Sequence, residues 1–505
     1  MPGVAAKAMS LFLAVLVGLA ISVGIERVLA PRPPQWRRPL GAWCVHAALW
    51  LMTFCGLLVL VQRPWFAMLL VSAFLVLLVV ISNAKFTSLA EPFTVQDFRY
   101  LTDAIRYPRL YLPFLGWGKA LIAFAVAALA IGVGFWSEPA LSGGALSFSL
   151  TLSVLLFGSA LLLLGNWRLP EPSLDPVVDL QHLGLLGCIW AYGRALKRLP
   201  APANGFDAFM DAPGILQNRP HLVAVQSESF FDPRGLLSGI RPEVLAAFDC
   251  ARASGRAAGT LAVPALGANT VRSEFAFLAG LKESLLGAHK FNPYESVAKG
   301  WQVETFPKLL KRLGYRTVCI HPYVSSFYRR DRVFPLLGID EFIDLKAFEG
   351  AERNGHYVSD AAVTDKILKV LTAADQPTFV FAITMENHGP LHLESIGPEE
   401  AARFYDQSLP VGFDELTVYL RHLRNADGMV AQLTEAFDGM CEPISLCWYG
   451  DHVPIMPKVY DRLQRWPRDS DYLIWDNTVL RAARNDAVNL ESLEISQLGL
   501  IWLNR

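Results

Sequence analysis

Long apolar stretches fill the first third of the chain and are separated by more polar segments. Five of these stretches cover Ala8–Ile25, Pro39–Val61, Pro64–Asn83, Ala120–Trp136 and Ala145–Gly165, and none contains Asp, Glu, Lys or Arg. A helix needs about 20 apolar residues to cross the hydrocarbon layer of a bilayer. The pattern therefore predicts five transmembrane helices within residues 1–165, the first of them retained rather than cleaved as a signal peptide.

A polar linker follows the last apolar stretch. It begins with the Pro-rich segment RLPEPSLDP and contains one further apolar patch, His182–Leu196, which is too short to span a bilayer. We interpret residues 166–219 as a juxtamembrane linker with an amphipathic helix that precedes a globular domain.

From about Pro220 onward, short apolar runs alternate with amphipathic segments. The runs are HLVAVQSES, RTVCIHPY, PTFVFAITMENH and PISLCWYGDH, and the helical segments between them include Val271–Leu281, Phe306–Leu313 and Ala361–Leu371. Strands and helices in alternation are typical of a mostly parallel sheet with helices on both faces. Residues 220–505 are therefore predicted to form an α/β domain.

Composition agrees with a membrane part joined to a globular part. Hydrophobic residues make up 53% of the 505 residues and charged residues only 18%. The formal net charge of −1 gives no basic footprint for nucleic acid, so we expect no nucleic-acid partner.

Residues able to do chemistry follow all four apolar runs: Glu228, His321, His388, and Asp451 with His452. In open α/β sheets, ligands bind at the carboxyl ends of the strands. Any one of these residues has an ordinary structural explanation, such as a helix cap or a turn histidine. All four runs ending in this way indicates a functional edge, where an adjacent Asp and His can offer an oxygen and an imidazole nitrogen to a metal ion.

A possible nucleophile lies in GANTVRSEFAFLAGL. Thr270 follows a Gly-containing loop and precedes an amphipathic helix, so its hydroxyl is expected near a helix N-terminus, where a phosphoryl group binds favourably. The alternative is that Thr270 or Asn269 only caps the helix. Three residues of the following turn are expected to serve in helix capping rather than in substrate contacts: Arg272, Ser273 and Glu274.

Taken together, these motifs resemble the lipoteichoic acid synthase family, which comprises sulfatase-like phosphoglycerol transferases of the alkaline phosphatase superfamily. The resemblance extends over nearly the whole chain, since five N-terminal spans before an extracytoplasmic catalytic domain are typical of that family. The motifs that carry it are ESF at Glu228, GANTVRSEF around Thr270, HPYVSSFYRRD from His321, ENHGP around His388 and GDH from Gly450.

The resemblance implies one divalent metal ion, bound by Glu228, Thr270, Asp451 and His452. Mn²⁺ is the expected ion, with Mg²⁺ and Zn²⁺ as alternatives. Thr270 is also implied as the nucleophile, because metal coordination lowers the pKa of a hydroxyl group that is otherwise a poor nucleophile.

It also implies residues that bind the substrate. Arg330 matches an arginine that grips phosphate, His321 a histidine of the same pocket, and His388 a phosphate ligand or a proton donor to the departing lipid alcohol. Tyr328 stands where the family more often has tryptophan, and Arg329 where a small polar residue is common. These two departures concern recognition of the head group and leave the metal ligands unchanged.

The expected protein is a multi-pass enzyme of the cytoplasmic membrane with a periplasmic catalytic domain. Its donor would be a phospholipid, phosphatidylglycerol above all, and its acceptor an envelope glycan or a growing glycerol-phosphate polymer.

Phosphoethanolamine transferases share this architecture, but they usually have disulfide-rich catalytic domains, whereas five cysteines are scattered here. A true sulfatase would need a CxPxR or SxPxR element, which is absent.

Two further alternatives stay open. One is a non-catalytic sulfatase-fold protein that binds or scaffolds polysaccharide assembly, although such a protein would have no need of the complete ligand set. The other is a cytoplasmic catalytic domain. It follows from the positive-inside rule, because the most basic loops are those holding Arg27 to Arg38 and Arg99 to Arg109, on the same face as that domain.

Overall fold

The protein is described from a computed structural model that covers residues 2–33, 37–99, 106, 117–141, 145–206, 219–407, 411–482 and 492–503. The chain divides into two compact units, residues 1–198 and 199–505. Part of the predicted linker, residues 207–218, lies outside the described residues.

The first unit is helical. Among the described residues, four of its helices are long and apolar enough to cross a membrane, and they coincide with four of the five predicted spans. These helices are Lys7–Val28, Leu40–Val61, Pro64–Leu89 and Phe148–Arg168. A helix also forms at the position of the remaining span, but several of its side chains lie outside the described part of the chain. The helices are α1 Pro2–Ile25, α2 Leu40–Val61, α3 Pro64–Leu89, α4 Trp117–Ser137, α5 Ala145–Arg168 and α6 Pro176–Ala195.

Helix α6 contains the apolar patch that the sequence assigned to a juxtamembrane helix. It begins with Pro176 at its first turn, and the carboxylate of Asp175 accepts hydrogen bonds from the backbone N–H groups of Val177 and Val178. Gly184, with a φ of 72°, bends the helix in the middle.

The second unit is built on an eight-stranded sheet. In chain order its strands are β1 His221–Ser227, β2 Ala257–Ala262, β3 Arg316–Ile320, β4 Glu341–Ile343, β5 Thr378–Ile383, β6 Ile444–Gly450, β7 Asp469–Asp476 and β8 Ser492–Glu494. Their spatial order is β8-β2-β7-β6-β1-β5-β3-β4, and the central strands β6, β1, β5 and β3 are parallel to one another.

Helices cover both faces of this sheet. Alternate residues of β1 enter different cores, with Val223 and Val225 on one face and Leu222 and Ala224 on the other. This confirms the predicted α/β fold with a mostly parallel central sheet. The helices are α7 Ala246–Ser254, α8 Thr270–Ala279, α9 Pro293–Ala298, α10 Phe306–Arg312, α11 Arg330–Leu336, α12 Asp360–Thr372, α13 Pro398–Ala401, α14 Asp414–Asp438, α15 Pro457–Leu463, α16 Thr478–Ala482 and α17 Ile495–Leu503.

Candidate metal centre and anion pocket

Three of the four predicted metal ligands lie together. Glu228, Asp451 and His452 each offer one ligand atom, and these atoms lie within 4.8 Å of one another. The Nε2 atom of His452 is 3.3 Å from Oδ2 of Asp451 and 3.6 Å from Oε1 of Glu228. All three side chains are at most 3% exposed. We call these three residues the metal-site cluster.

The register of two neighbouring strands explains why these residues meet. Strands β1 and β6 are parallel and pair up to Ser227 opposite Gly450, so the next residues, Glu228 and Asp451, leave the sheet side by side. Gly450 is required by close packing, because a Cβ atom at this position would lie 1.9 Å from the carbonyl oxygen of Phe230.

Ser229 connects all three members of the metal-site cluster. Its backbone N–H donates to Oδ1 of Asp451 at 2.9 Å, its hydroxyl donates to Oε1 of Glu228 at 2.7 Å, and that hydroxyl is 3.3 Å from Nδ1 of His452. The residue has a φ of 54°, in the left-handed region that a residue with a Cβ rarely adopts. Such a conformation costs about 1–3 kcal/mol, and the surrounding contacts must stabilise it.

The donor set fits a divalent cation. Oδ2 of Asp451 is buried and has no hydrogen-bond partner among the described residues. Nδ1 of His452 lies 3.2 Å from the carbonyl oxygen of Val453, which can only accept a hydrogen bond, so Nδ1 donates there and Nε2 faces the two carboxylates. Burial and the nearby Asp451 carboxylate raise the pKa of Glu228 to about 8. Two carboxylates and an imidazole that converge in this way suit Mn²⁺ or Zn²⁺, whose charge would offset their repulsion.

Thr270 is the first residue of helix α8 and is partly exposed. Asn269 precedes it with a φ of 64°, and the side chain of Asn269 makes no capping hydrogen bond. The hydroxyl of Ser273, in the first turn of the same helix, donates to the backbone carbonyl of Asp451 at 2.6 Å. This bond ties the N-terminal turn of α8 to the loop that carries two of the cluster residues.

Arg330 is almost completely buried and is paired on two sides. Its Nε and one terminal nitrogen donate to the two carboxylate oxygens of Glu274 at 2.9 and 2.7 Å, and its other terminal nitrogen donates to Nε2 of His321 at 3.3 Å. Nδ1 of His321 in turn donates to the carbonyl oxygen of Ile383 at 3.1 Å. Burial and the Arg330 charge hold the pKa of His321 well below its usual range, so this histidine is neutral. We call Glu274, Arg330 and His321 the arginine cluster.

Further hydrogen bonds tie the arginine cluster to the strands of the metal site. Glu274 also accepts from the hydroxyl of Tyr294 at 2.6 Å and from the amide of Gln226 at 3.3 Å. Gln226 accepts from the hydroxyl of Tyr449 at 2.7 Å. Gln226 and Tyr449 each lie two residues before a member of the metal-site cluster, so the two clusters share the same strands.

Tyr328 lies against the guanidinium group of Arg330, whose central carbon is 5.1 Å from the ring centroid. Tyr328 and Arg329 have φ values of 54° and 58°, two consecutive left-handed residues that are not glycine. The predicted head-group residue Tyr328 is thus placed beside the predicted phosphate-binding arginine.

His388 is partly exposed, and its Nδ1 lies 2.7 Å from the carbonyl oxygen of Gly389 and 3.2 Å from the hydroxyl of Tyr357. The carbonyl can only accept, so Nδ1 carries the proton and Nε2 is free to accept one. Burial lowers the pKa of His388, although the Gly389 bond and the Asp451 charge act in the opposite direction. His388 is therefore a neutral proton acceptor near pH 7.

The capping roles expected for three residues of α8 are wrong. Glu274 pairs with Arg330, Ser273 donates to Asp451, and Arg272 forms an ion pair with Glu283 at 2.6 Å. The reason is that the helix is packed on every side, so that polar residues of its first turns meet other segments rather than their own backbone.

Comparisons with known proteins show the family and the fold of the chain. The family model described as Sulfatase matches residues 220–494. The capsular polysaccharide biosynthesis protein RkpI of Rhizobium meliloti is 28% identical over 457 residues, which cover 86% of this chain and 81% of that protein. The lipoteichoic acid synthase-like protein YvgJ of Bacillus subtilis is 24% identical over 216 residues, 42% of this chain but only 33% of its own length. The predicted resemblance to lipoteichoic acid synthases is confirmed.

A solved structure resembles nearly the whole chain. The integral membrane protein lipooligosaccharide phosphoethanolamine transferase A (EptA) of Neisseria meningitidis matches with a TM-score of 0.54 and 13% identity. The match covers 91% of this chain and 95% of that protein. At this identity the likeness concerns the fold, which combines membrane helices with a sulfatase-like domain.

Proposed function

The chain belongs to the sulfatase family, and on this premise we propose that it is a metal-dependent membrane transferase that moves a phosphoglycerol group from a phospholipid to an acceptor. The group would pass through a covalent intermediate on Thr270. The acceptor would be an envelope glycan or a glycerol-phosphate polymer, and the similarity to RkpI, which is named as a capsular polysaccharide biosynthesis protein, supports a glycan.

The observation that carries the proposal is the unpartnered Oδ2 atom of Asp451. It lies buried in a cluster of hydrogen-bond acceptors at the carboxyl ends of two parallel strands, where ligands bind in this class of fold. Leaving a buried carboxylate oxygen without a partner costs free energy that only a bound ligand would recover. The proposed ligands are Glu228, Asp451, His452 and Thr270, and Mn²⁺ is the proposed ion.

The chemistry needs one nucleophile and one proton carrier. Oγ1 of Thr270 forms a bond to phosphorus while the bond from phosphorus to the diacylglycerol oxygen breaks. We assign to Nε2 of His388 the transfer of the Thr270 proton to that departing oxygen. In the second step the oxygen of the acceptor hydroxyl bonds to phosphorus while the bond from phosphorus to Oγ1 of Thr270 breaks, and His388 takes the proton of the acceptor hydroxyl and returns it to Oγ1. When bound, the metal ion would stabilise negative charge on Thr270 and on the phosphoryl oxygens. Arg330 would orient the phosphoryl group.

A phosphoethanolamine donor is the second candidate. The fold of EptA, which is named as a lipooligosaccharide phosphoethanolamine transferase, is the observation in its favour. All seven cysteines lie in the described residues and none forms a disulfide, which favours a phosphoglycerol donor over a phosphoethanolamine donor.

Mass spectrometry of the intact protein tests the proposal. The purified chain is incubated with phosphatidylglycerol and Mn²⁺, in parallel with Thr270→Ala and with Thr270→Ser, which keeps a hydroxyl group. We expect a phosphoglycerol adduct on Thr270 of the wild type and none on Thr270→Ala. An adduct formed only from phosphatidylethanolamine would mean that the transferred group is phosphoethanolamine rather than phosphoglycerol. The absence of an adduct with both lipids would refute the covalent mechanism.

The proposed location is the cytoplasmic membrane, with residues 220–505 in the periplasm, residues 166–219 as linker and residues 1–165 as membrane part. The lipid donor would then reach the catalytic domain from the membrane in which the apolar helices lie. A reporter fused after Arg505 that is active only in the cytoplasm would contradict this orientation.

A further inference from the structure

The arginine cluster contains equal and opposite charges. Arg330 is 1% exposed and Glu274 is 0% exposed, and two hydrogen bonds join them side by side. His321, the third member, is neutral because its Nε2 accepts from Arg330 and burial disfavours a second proton. The predicted phosphate-binding pocket therefore contains an arginine but no net positive charge from this cluster.

Arg330 nevertheless keeps donors for a ligand. A guanidinium group has five N–H donors, of which two go to Glu274 and one goes to His321. The remaining N–H groups lie on the two terminal nitrogens, which is the arrangement that contacts two oxygens of one phosphate. Glu274 thus fixes the orientation of the guanidinium group and at the same time cancels its charge.

We propose that Glu274 is a specificity-determining and positioning residue, which makes the pocket favour singly charged phosphodiesters over doubly charged phosphate monoesters. The inference rests on the proposed function and deepens it. In a buried site each further unit of ligand charge that the protein does not balance costs free energy, because water screens it poorly, and a neutral cluster therefore favours the ligand with fewer charges. A phosphodiester carries one negative charge, whereas a monoester carries close to two above its second pKa of about 6.

This preference matches the chemistry of the proposed reaction. The phospholipid donor, the phosphoglycerol group bound to Thr270 and the transferred product are all phosphodiesters. Free glycerol phosphate, which forms if water intercepts the intermediate, is a monoester. A pocket in which this cluster adds no net positive charge would favour the species on the reaction path over the hydrolysis product.

Isothermal calorimetry with the full chain in detergent, loaded with Mn²⁺ at pH 8, tests this inference. The probes are glycerophosphoglycerol, a diester, and glycerol phosphate, a monoester. We expect the wild type to bind the diester more tightly. Glu274→Gln should shift the ratio of the two dissociation constants on the order of tenfold toward glycerol phosphate, because Arg330 then contributes an uncancelled positive charge.

The neighbouring Arg329–Glu295 ion pair provides a matched control. A terminal nitrogen of Arg329 lies 2.8 Å from Oε1 of Glu295. The Glu295 side chain is 5% exposed, but the Arg329 side chain is 43% exposed, so solvent screens the charge of this arginine. Glu295→Gln removes a carboxylate from the same region and should change the ratio by less than about twofold.

Two further variants keep the test decisive if Glu274→Gln does not fold. Arg330→Gln should shift the ratio in the opposite direction, because the Glu274 charge then disfavours the dianion. The double variant Glu274→Gln with Arg330→Gln restores charge balance, and it should show the wild-type ratio with weaker binding of both probes. An unchanged ratio in all folded variants would overturn the role of Glu274.

The outcome is separable from that of the proposed function. An adduct on Thr270 together with an unchanged ratio would refute only the role of Glu274. Failure of the wild type to form the adduct and to bind either probe would refute the phosphoryl-transfer site itself.

Discussion

The metal-site cluster and the arginine cluster handle buried carboxylates in opposite ways. In the arginine cluster, Glu274 accepts four hydrogen bonds and faces a guanidinium group, so its charge is balanced by the protein. In the metal-site cluster, Glu228 and Asp451 face each other and Nε2 of His452, and Oδ2 of Asp451 has no hydrogen-bond partner among the described residues. The charges of the arginine cluster are balanced without a ligand, whereas those of the metal-site cluster are not.

This difference shows which buried charges serve orientation and which serve binding. A charge that the protein balances holds neighbouring segments in place, whereas a charge left unbalanced in a rigid site stores free energy that a ligand recovers. The same Glu→Gln substitution should therefore have opposite effects on stability in the two clusters.

The largest effect is expected for Asp451→Asn. Replacing the unpartnered oxygen with an amide removes one anionic ligand, and we expect metal affinity to fall by at least about 100-fold, with loss of the Thr270 adduct. Calorimetric titration with Mn²⁺ measures the affinity. If Asp451→Asn binds Mn²⁺ as tightly as the wild type, the metal-site cluster is not the metal centre.

Glu274→Gln should destabilise the metal-free protein by about 3–5 kcal/mol, because it leaves the buried Arg330 charge without its partner. Thermal unfolding in detergent, after removal of metal with a chelator, measures the effect. The control Glu295→Gln should change stability by about 1 kcal/mol or less, since its arginine partner is solvated. Equal losses of stability in the two variants would contradict the contrast between the buried ion pair of Glu274 and the partly exposed ion pair of Glu295.

Much of this contrast lies beyond sequence reasoning. The alternation of apolar runs and helices predicted the sheet, and the polar residues after the runs predicted that Glu228 and Asp451 would meet, because parallel strands end at one edge. Glu274 and Arg330 are 56 residues apart and no local pattern links them, so Glu274 was interpreted from its position in the helix alone.

Ser229 was missed for a related reason. Ser229 has a left-handed φ of 54°. Such a conformation is usually predicted from a glycine or an asparagine in the sequence, and a serine gives no such signal. The Ser229 side chain and backbone contact residues more than 200 positions later in the chain, which only the folded sheet brings near.

Glu228→Gln should have the opposite sign to Glu274→Gln. In the metal-free protein the pKa of Glu228 is raised to about 8. Above pH 4.5 the unfolded chain ionises this carboxyl group while the folded chain keeps it protonated, so folding costs free energy in that pH range. A glutamine avoids this cost, and we expect stabilisation of the metal-free protein by about 2 kcal/mol at pH 7. The gain should vanish as the pH falls toward 4.5, and Mn²⁺ should raise the unfolding temperature of the wild type but not of the variant. Destabilisation at pH 7 would show that Glu228 is already balanced by the protein.

Asp360→Asn gives the smallest expected effect and separates burial from metal binding. Asp360 is 1% exposed and neither carboxylate oxygen has a partner among the described residues, while its backbone N–H donates to Glu386 at 2.8 Å. Burial and the charges of Glu386 and Glu228 raise its pKa well above the usual range, so folding keeps Asp360 protonated. The stability cost is absent below the unfolded pKa of about 4 and grows as the pH rises above it, because only the unfolded chain then ionises.

Asparagine at position 360 cannot ionise, so Asp360→Asn should stabilise the protein at pH 7 and leave it unchanged near pH 4. We expect a smaller gain than for Glu228→Gln, because an amide buried without hydrogen-bond partners also costs free energy. Unlike Glu228→Gln, this variant should keep its advantage when Mn²⁺ is bound, since Asp360 is not among the proposed ligands. Thermal unfolding at both pH values, with and without Mn²⁺, distinguishes the two carboxylates. If Asp360→Asn also abolishes the stabilisation by Mn²⁺, then Asp360 is part of the metal centre, and the unbalanced charge at this edge of the sheet extends beyond the metal-site cluster.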